Sequence, residues 1–332
     1  MSKTVPKKTT PQTSDLRGFV GDEEMRKDMK EEMIVQANCL TKQYGKMTAL
    51  SEVNIAVPQG AIYGLVGNNG AGKSTFLKIL AGEIAPTEGS FRMMNAETEW
   101  ELCKVRRMTG AIIEGPAFYP NMTAGQNLEY YRIQRGIPGK DVVAKMLALV
   151  GLEDAVKKKF KDMSLGMKQR LGLALALMGE PKLLILDEPI NGLDPAGIIE
   201  IRNLLLKLNR EKGITIIISS HILAELENIA TDYGFLNQGK LVEQITAEAL
   251  REKCQSYLEV KVTDVSKYTS LLEHTFDCRN YKVMPDGSVQ IYDKIDKVSD
   301  YSALAIQNDI GLLAFEQKEI NLEKYYMELV GA

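Results

Sequence analysis

The sequence predicts an α/β fold, with a core sheet of mainly parallel strands, an antiparallel β part and a helical insertion, followed by a small α+β ferredoxin-like domain. Three observations predict it. The short apolar runs AIYGLVG, KLLILDEP and ITIIISS have the length and composition of strands buried on both faces. Helical patterns separate these runs, the alternation from which parallel sheets are built. From Leu258 the rhythm changes to strand, helix, hairpin, helix and strand, the order of a split βαββαβ unit.

Taken in order, MSKTVPKKTTPQTS has no periodicity and is rich in Lys, Thr and Pro, so disorder is expected there. GDEEMRKDMKEEM mixes charges at helical spacing, as a solvated helix or tail does. Residues 1–33 are therefore read as an N-terminal extension. IVQANCL and EVNIAV alternate with period two and read as half-buried strands. AIYGLVG leads through a glycine-rich turn into FLKILAG, which has helical spacing. NMTAGQNLEYYRIQRGI and DVVAKMLALVGLEDAVKKKF form a helical insertion at about 115–175, within a first domain of residues 34–240. In residues 241–332, LEVKVTD is a strand, SKYTSLLEHTF an amphipathic helix, and YKVMPDGSVQIYD a hairpin turned by Pro-Asp-Gly. SDYSALAIQND, GLLAFEQKEI and NLEKYYMELVG follow as helix, strand and a final helix.

A length of 332 residues allows two domains, and a formal net charge of −3 gives no global attraction to nucleic acid or anionic lipid. The four cysteines form no CxxC pair and there are two histidines, which argues against structural zinc and for reduced thiols. No run approaches the roughly 18 apolar residues of a membrane span, and the N-terminus has no apolar signal core. A cytosolic protein is expected unless a partner holds it at a membrane.

Gly67-Asn68-Asn69-Gly70-Ala71-Gly72-Lys73-Ser74, followed by Thr75, matches GxxxxGK[ST] in its required strand–loop–helix context. Glycines let the backbone N–H groups converge on phosphate and remove side chains that would block its approach. The helix N-terminus, the Lys73 charge and the Ser74 hydroxyl suit the β- and γ-phosphates and Mg2+. KLLILDEP places Asp187 and Glu188 at the C-terminal edge of a buried strand, where such sheets bind ligands. Asp187 suits Mg2+ through water, and Glu188 suits polarising an attacking water. SLGMKQR puts Ser164 and Gly166 at a helix N-terminus, a second anion-ready corner. One chain has no use for two such corners on one nucleotide, whereas two copies packed head to tail do.

Together these motifs resemble the nucleotide-binding subunit of an ATP-binding cassette (ABC) transporter over about Ile34 to Gly239. The resemblance implies an ATP hydrolase using ATP and Mg2+, with Lys73, Glu188 and His221 as catalytic groups. Tyr44 matches the aromatic that stacks on adenine. Ser164 and Gly166 match the signature that contacts the partner subunit's ATP, with Leu165 and Met167 where the common LSGGQ form has Gly and Gln. Asp194, in NGLDP, matches the loop linking the two sites of the dimer, and His221 the switch histidine at the γ-phosphate. Glu114 stands where the family usually carries Gln; a carboxylate there ligates Mg2+ more strongly but repels the γ-phosphate, so it is expected to affect coupling and to tolerate Gln. IEGPAFYPNMT and the short C-terminal domain resemble the bacitracin-type and lantibiotic self-protection exporters. That implies a homodimer or pseudo-dimer, peripheral on the inner face of the membrane through separately encoded permeases, without direct contact with the transported substrate and without nucleic acid. Besides an exporter of an unrelated substrate, two other readings are a soluble ABC ATPase acting on ribosome or DNA and an ATP-gated module that barely hydrolyses. A single phosphate-binding turn without sustained heptads disfavours the first, and Glu188 the second.

Overall fold

β1 (Met33–Tyr44) and β2 (Met47–Pro58) are antiparallel partners that bury alternate apolar side chains, among them Val35, Leu40, Val53, Ile55 and Val57. β3 (Ile62–Val66) is buried at every position and runs through the glycine turn into α1 (Lys73–Ala81). α1 turns Phe76, Leu77, Ile79 and Leu80 inward, and Gly82 ends it in the left-handed region at φ 81°. β4 (Glu88–Met93) pairs with β1, completing a three-stranded antiparallel sheet in the order β2-β1-β4. α2 (Glu99–Val105) starts from a reciprocal Thr98–Glu101 capping box.

The computed structural model describes residues 32–115, 117–254, 256–293, 298–318 and 322–331. The expectations for residues 1–31 lie outside that set. Met33–Ala332 forms one compact unit.

β5 (Thr109–Ile112) is followed by the helical insertion, α3 (Ala124–Gln134), α4 (Val142–Leu149) and α5 (Leu165–Leu177). A Thr123–Gln126 capping box starts α3, and the Ser164 hydroxyl caps α5. β6 (Leu183–Asp187), α6 (Pro195–Lys212), β7 (Thr215–Ser220), α7 (Leu223–Glu227), β8 (Asp232–Asn237) and β9 (Lys240–Thr246) complete the body. The six-stranded sheet has the order β5-β6-β7-β3-β8-β9 and is parallel except for the β8–β9 pair. Its apolar strands are covered on both faces, as an all-buried parallel sheet requires. Because β6, β7 and β3 are neighbours and parallel, their C-terminal ends lie side by side. That edge receives the three motifs that follow these strands.

After α8 (Ala247–Lys253) come β10 (Tyr257–Val262), α9 (Val265–Phe276), β11 (Tyr281–Val283), β12 (Val289–Ile291), α10 (Val298–Gln307), β13 (Leu312–Lys318) and α11 (Leu322–Val330). The four strands form an antiparallel sheet in the order β11-β12-β10-β13, the ferredoxin-like arrangement. Tyr268, Leu272, Tyr301 and Leu304 of the two helices fill its core with Leu258, Val260 and Ile291. Three elements of residues 241–332, β9, α8 and α11, pack elsewhere, α8 burying Ala247 and Leu250 in the core under the parallel sheet. β9 is hydrogen-bonded to β8, and Gln244 on it holds the Ala56 N–H at 3.1 Å and donates to the Ala56 carbonyl at 2.6 Å. α11 buries Leu322 and Tyr326 in the core under the parallel sheet.

Candidate active site

The turn between β3 and α1 is shaped by close approach. A Cβ on Gly67 would lie 2.5 Å from the Leu236 carbonyl oxygen, and one on Gly72 would lie 2.7 Å from that of Ala49. Gly72 also has φ 106°, which only glycine adopts without strain. Lys73 is 5% exposed, and its ammonium donates to the Gly67 and Asn68 carbonyls at 2.6 and 3.2 Å. Burial holds its pKa below the ordinary lysine value, while the Glu188 and Asp187 carboxylates act in the opposite direction.

Glu188 stands at the centre. Its Oε1 lies 3.6 Å from Lys73 Nζ, its Oε2 lies 3.0 Å from His221 Nδ1, and Asn191 Nδ2 donates to Oε2 at 3.1 Å. Its backbone, in the left-handed region at φ 47°, donates to the Ser219 hydroxyl at 3.0 Å. Ser219 in turn donates to Asp187 Oδ1 at 2.6 Å. One serine thus fixes both the carboxylate that ends β6 and the peptide that follows it. The sequence places Asn191 only in the NGLDP loop and does not single out Ser219; the signal for both roles is adjacency, in DEPIN and ISSH, to Glu188 and His221.

Ser74, Glu114, Asp187, Glu188 and Asn191 line one cleft of roughly 680 Å3, together with Lys168 and Gln169 of α5. Glu114 is at its rim, with φ 56°, and its carboxylate accepts from Lys78 Nζ at 2.5 Å. That partner was not foreseen, since the pairing joins α1 to a loop 36 residues away. Ser164, Gly166 and Asp194 lie instead in a separate cleft of roughly 330 Å3, beside Arg170 and Glu200, which are 3.3 Å apart. Within one chain, therefore, these three residues are not gathered around Lys73. Tyr44 ends β1 with its ring 43% exposed and the Lys42 ammonium 5.1 Å from the ring centroid. It lies on the β1–β2 hairpin that abuts Gly72 through Ala49.

The donor set fits a nucleotide triphosphate with Mg2+. Among the described residues no group of three or more His, Cys, Asp or Glu side chains could hold a metal unaided. Ser74 and Asp187 offer a hydroxyl and a carboxylate in one cleft. That small protein share suits Mg2+, which retains waters and takes its remaining oxygens from phosphates.

Known proteins share both the sequence and this arrangement of elements. The family model described as ABC transporter matches residues 50–191. The bacitracin transport ATP-binding protein BcrA of Enterococcus faecalis is 42% identical over 300 residues, which cover 90% of this chain and 97% of that one. The lantibiotic transport ATP-binding protein SrtF of Streptococcus pyogenes is 46% identical over 203 residues, 61% of this chain and 86% of its own length. Among solved structures, the dimeric ATP-binding cassette MJ0796 bound to ADP and Pi superposes with a TM-score of 0.59 at 27% identity, covering 64% of this chain and 98% of that one. Identity at this level over nearly the whole chain, on the fold of an ATP-binding cassette, makes the chain a member of the ABC transporter family, an ATPase of its ATP-binding subunits.

Proposed function

We propose that the chain powers export of a peptide antibiotic of the bacitracin or lantibiotic class, by ATP-driven closure and hydrolysis-driven opening of a dimer. For the chemistry, the supporting observation is that Glu188 faces Lys73 on one side and His221 on the other. The N–H groups of the Gly67–Thr75 turn and the Lys73 ammonium bind the β- and γ-phosphates, and the exposed Tyr44 ring stacks on adenine. Ser74 and Asp187 would hold Mg2+, which supplies charge neutralisation on the phosphate oxygens when bound. Glu188 takes the proton of a water whose oxygen attacks the γ-phosphorus in line. As the new P–O bond forms, the bond from the γ-phosphorus to the β–γ bridging oxygen breaks, leaving ADP and phosphate. His221, held by Glu188, donates to the γ-phosphate and senses its loss.

In the closed state Ser164 and Gly166 of one copy meet the γ-phosphate bound by the other, with Asp194 linking the two sites. Their position in a cleft apart from Lys73 supports this division between copies. Glu114, at the cleft rim, carries nucleotide state to a separately encoded membrane permease. Among the described residues no helix is long and apolar enough to cross a membrane, so the transport path lies in that permease, and the chain sits on the inner face of the cell membrane. The antibiotic class rests on the likeness to BcrA and SrtF. Within the chain, we assign residues 34–253 to the ATPase body and 257–318 to the accessory domain, with α11 returning to the body.

Sequencing the flanking genes for a polytopic membrane protein, and co-expressing the chain with it in a sensitive host, tests the proposal. Raised tolerance to bacitracin or a lantibiotic, lost on Glu188→Gln, is expected. Unchanged tolerance alongside normal ATP turnover would refute the substrate class, and co-sedimentation with ribosomes in place of membranes would refute the exporter role.

A further inference from the structure

The last helix reaches back to the phosphate-binding turn. Tyr326 on α11 is 4% exposed and stacks on Phe235 of β8, with ring centroids 6.0 Å apart at 27°. Its hydroxyl accepts the Asn68 backbone N–H at 3.2 Å and donates to the Leu236 carbonyl at 3.4 Å. A buried phenol needs partners, and this one finds both at the turn. The Asn68 N–H belongs to the same peptide as the Gly67 carbonyl, which accepts from Lys73 Nζ at 2.6 Å. In a trans peptide these two groups point in opposite directions. One peptide plane is therefore held from behind by Tyr326 and from the cleft side by Lys73. The carbonyl that receives the Tyr326 proton is the one that leaves no room for a Cβ on Gly67, so the clamp spans the tightest point of the turn.

We propose that Tyr326 is a positioning residue for the phosphate-binding turn, and that the C-terminal residues tune ATP affinity through it. The inference rests on the reading of Gly67–Thr75 as the ATP site. α11 follows edge strand β13 closely, since only residues 319–321 separate Lys318 from Leu322. A shift of α11 therefore acts, through Tyr326, on the peptide that orients Lys73. By reciprocity, ATP binding steadies α11.

The neighbouring side chain provides the control. The Tyr325 hydroxyl bonds to Glu243 and receives Lys253 Nζ at 2.9 Å, away from the turn. Tyr325 also packs against Phe235, with ring centroids 6.0 Å apart. In the 332-residue chain, Tyr326→Phe is expected to raise the Kd for ATP roughly five-fold, the worth of one ordinary hydrogen bond. The kcat at saturating ATP should stay near wild type, the nucleotide-free Tm should fall modestly as the buried Asn68 N–H loses its acceptor, and Tyr325→Phe should leave the Kd unchanged. Hydrogen exchange of residues 322–331 should slow on addition of ATP in wild type and less so in Tyr326→Phe. Wild-type ATP affinity in Tyr326→Phe overturns the proposal, as does equal weakening by Tyr325→Phe or a Tm loss with no change in Kd. Exchange in α11 that ignores ATP overturns the link to the C-terminal residues. Failure of the wild-type chain itself to bind ATP refutes the site reading, an outcome distinct from these.

Discussion

At the scale of single residues, Glu188 and its neighbour Glu225 are carboxylates with opposite fortunes. Glu188 has Lys73, His221 and Asn191 around its carboxylate oxygens. Replacing it with Gln removes the base while keeping shape and the Asn191 contact. Turnover should fall by about 10²–10⁴-fold, as general-base removal does, with ATP binding retained; steady-state phosphate release beside equilibrium binding checks both. Glu225 has a buried Oε2 without a hydrogen-bond partner. Burial raises its pKa above 4.5, with Glu188 adding to the rise and His221 and Ser220 opposing it. The native chain then binds this proton more tightly than the unfolded chain. Its contribution to stability is greatest below pH 4.5 and is lost as pH rises toward the folded value. Glu225→Gln, which cannot ionise, should gain Tm over wild type between about pH 4 and pH 7, with little difference at the acid end. Thermal melts across that range decide it. A gap that narrows with rising pH would contradict the sign.

At the scale of elements, the glycine turn was legible because its chemistry is local: bending, N–H display and the following helix are all written within a few residues. Gly67 makes that legibility quantitative. Its φ is not in the left-handed region, yet a Cβ there meets the Leu236 carbonyl at 2.5 Å, a backbone atom that cannot swing aside. Gly67→Ala must therefore shift the turn, at the roughly 1–3 kcal/mol typical of overpacking. It should lower both Tm and ATP affinity, as differential scanning fluorimetry with and without ATP would report; wild-type values in both would show that the β8 backbone yields. Apolar alternation likewise placed β3, β6 and β7, because each is a short buried run with no competing pattern. Less legible were the pairings between elements. Lys78 with Glu114 and Ser219 with Asp187 join segments whose separation in sequence leaves no local trace. NLEKYYMELVG reads only as a final helix, and nothing local to it tells that Leu322, Tyr325, Tyr326 and Leu329 pack into the core under the parallel sheet.

At the scale of the whole molecule, the question is why Ser164, Gly166 and Asp194 are gathered in one cleft while Ser74, Asp187 and Glu188 line another. A monomer gains nothing from the first cleft: Ser164 merely caps α5, and Asp194 caps α6 without a side-chain hydrogen bond. The arrangement makes sense if a second copy brings a phosphate there, and Gly166 offers a way to separate folding from assembly. A Cβ at Gly166 would meet only Leu193 Cδ2 at 3.7 Å, an ordinary contact. The single chain therefore has room for a side chain at this position. A carboxylate placed there would face the incoming γ-phosphate of the partner's nucleotide, at the helix N-terminus that otherwise favours anions. Gly166→Asp is thus expected to keep the Tm and the monomer's ATP affinity close to wild type. It should abolish the ATP-dependent dimer and reduce hydrolysis at least ten-fold, roughly 1.4 kcal/mol or more of lost stabilisation at the closed site. Sedimentation of Gly166→Asp combined with Glu188→Gln, the latter to prevent turnover, gives the clean reading. If the double variant with ATP still sediments as a dimer, the cleft at Ser164 is not where the second copy meets the nucleotide.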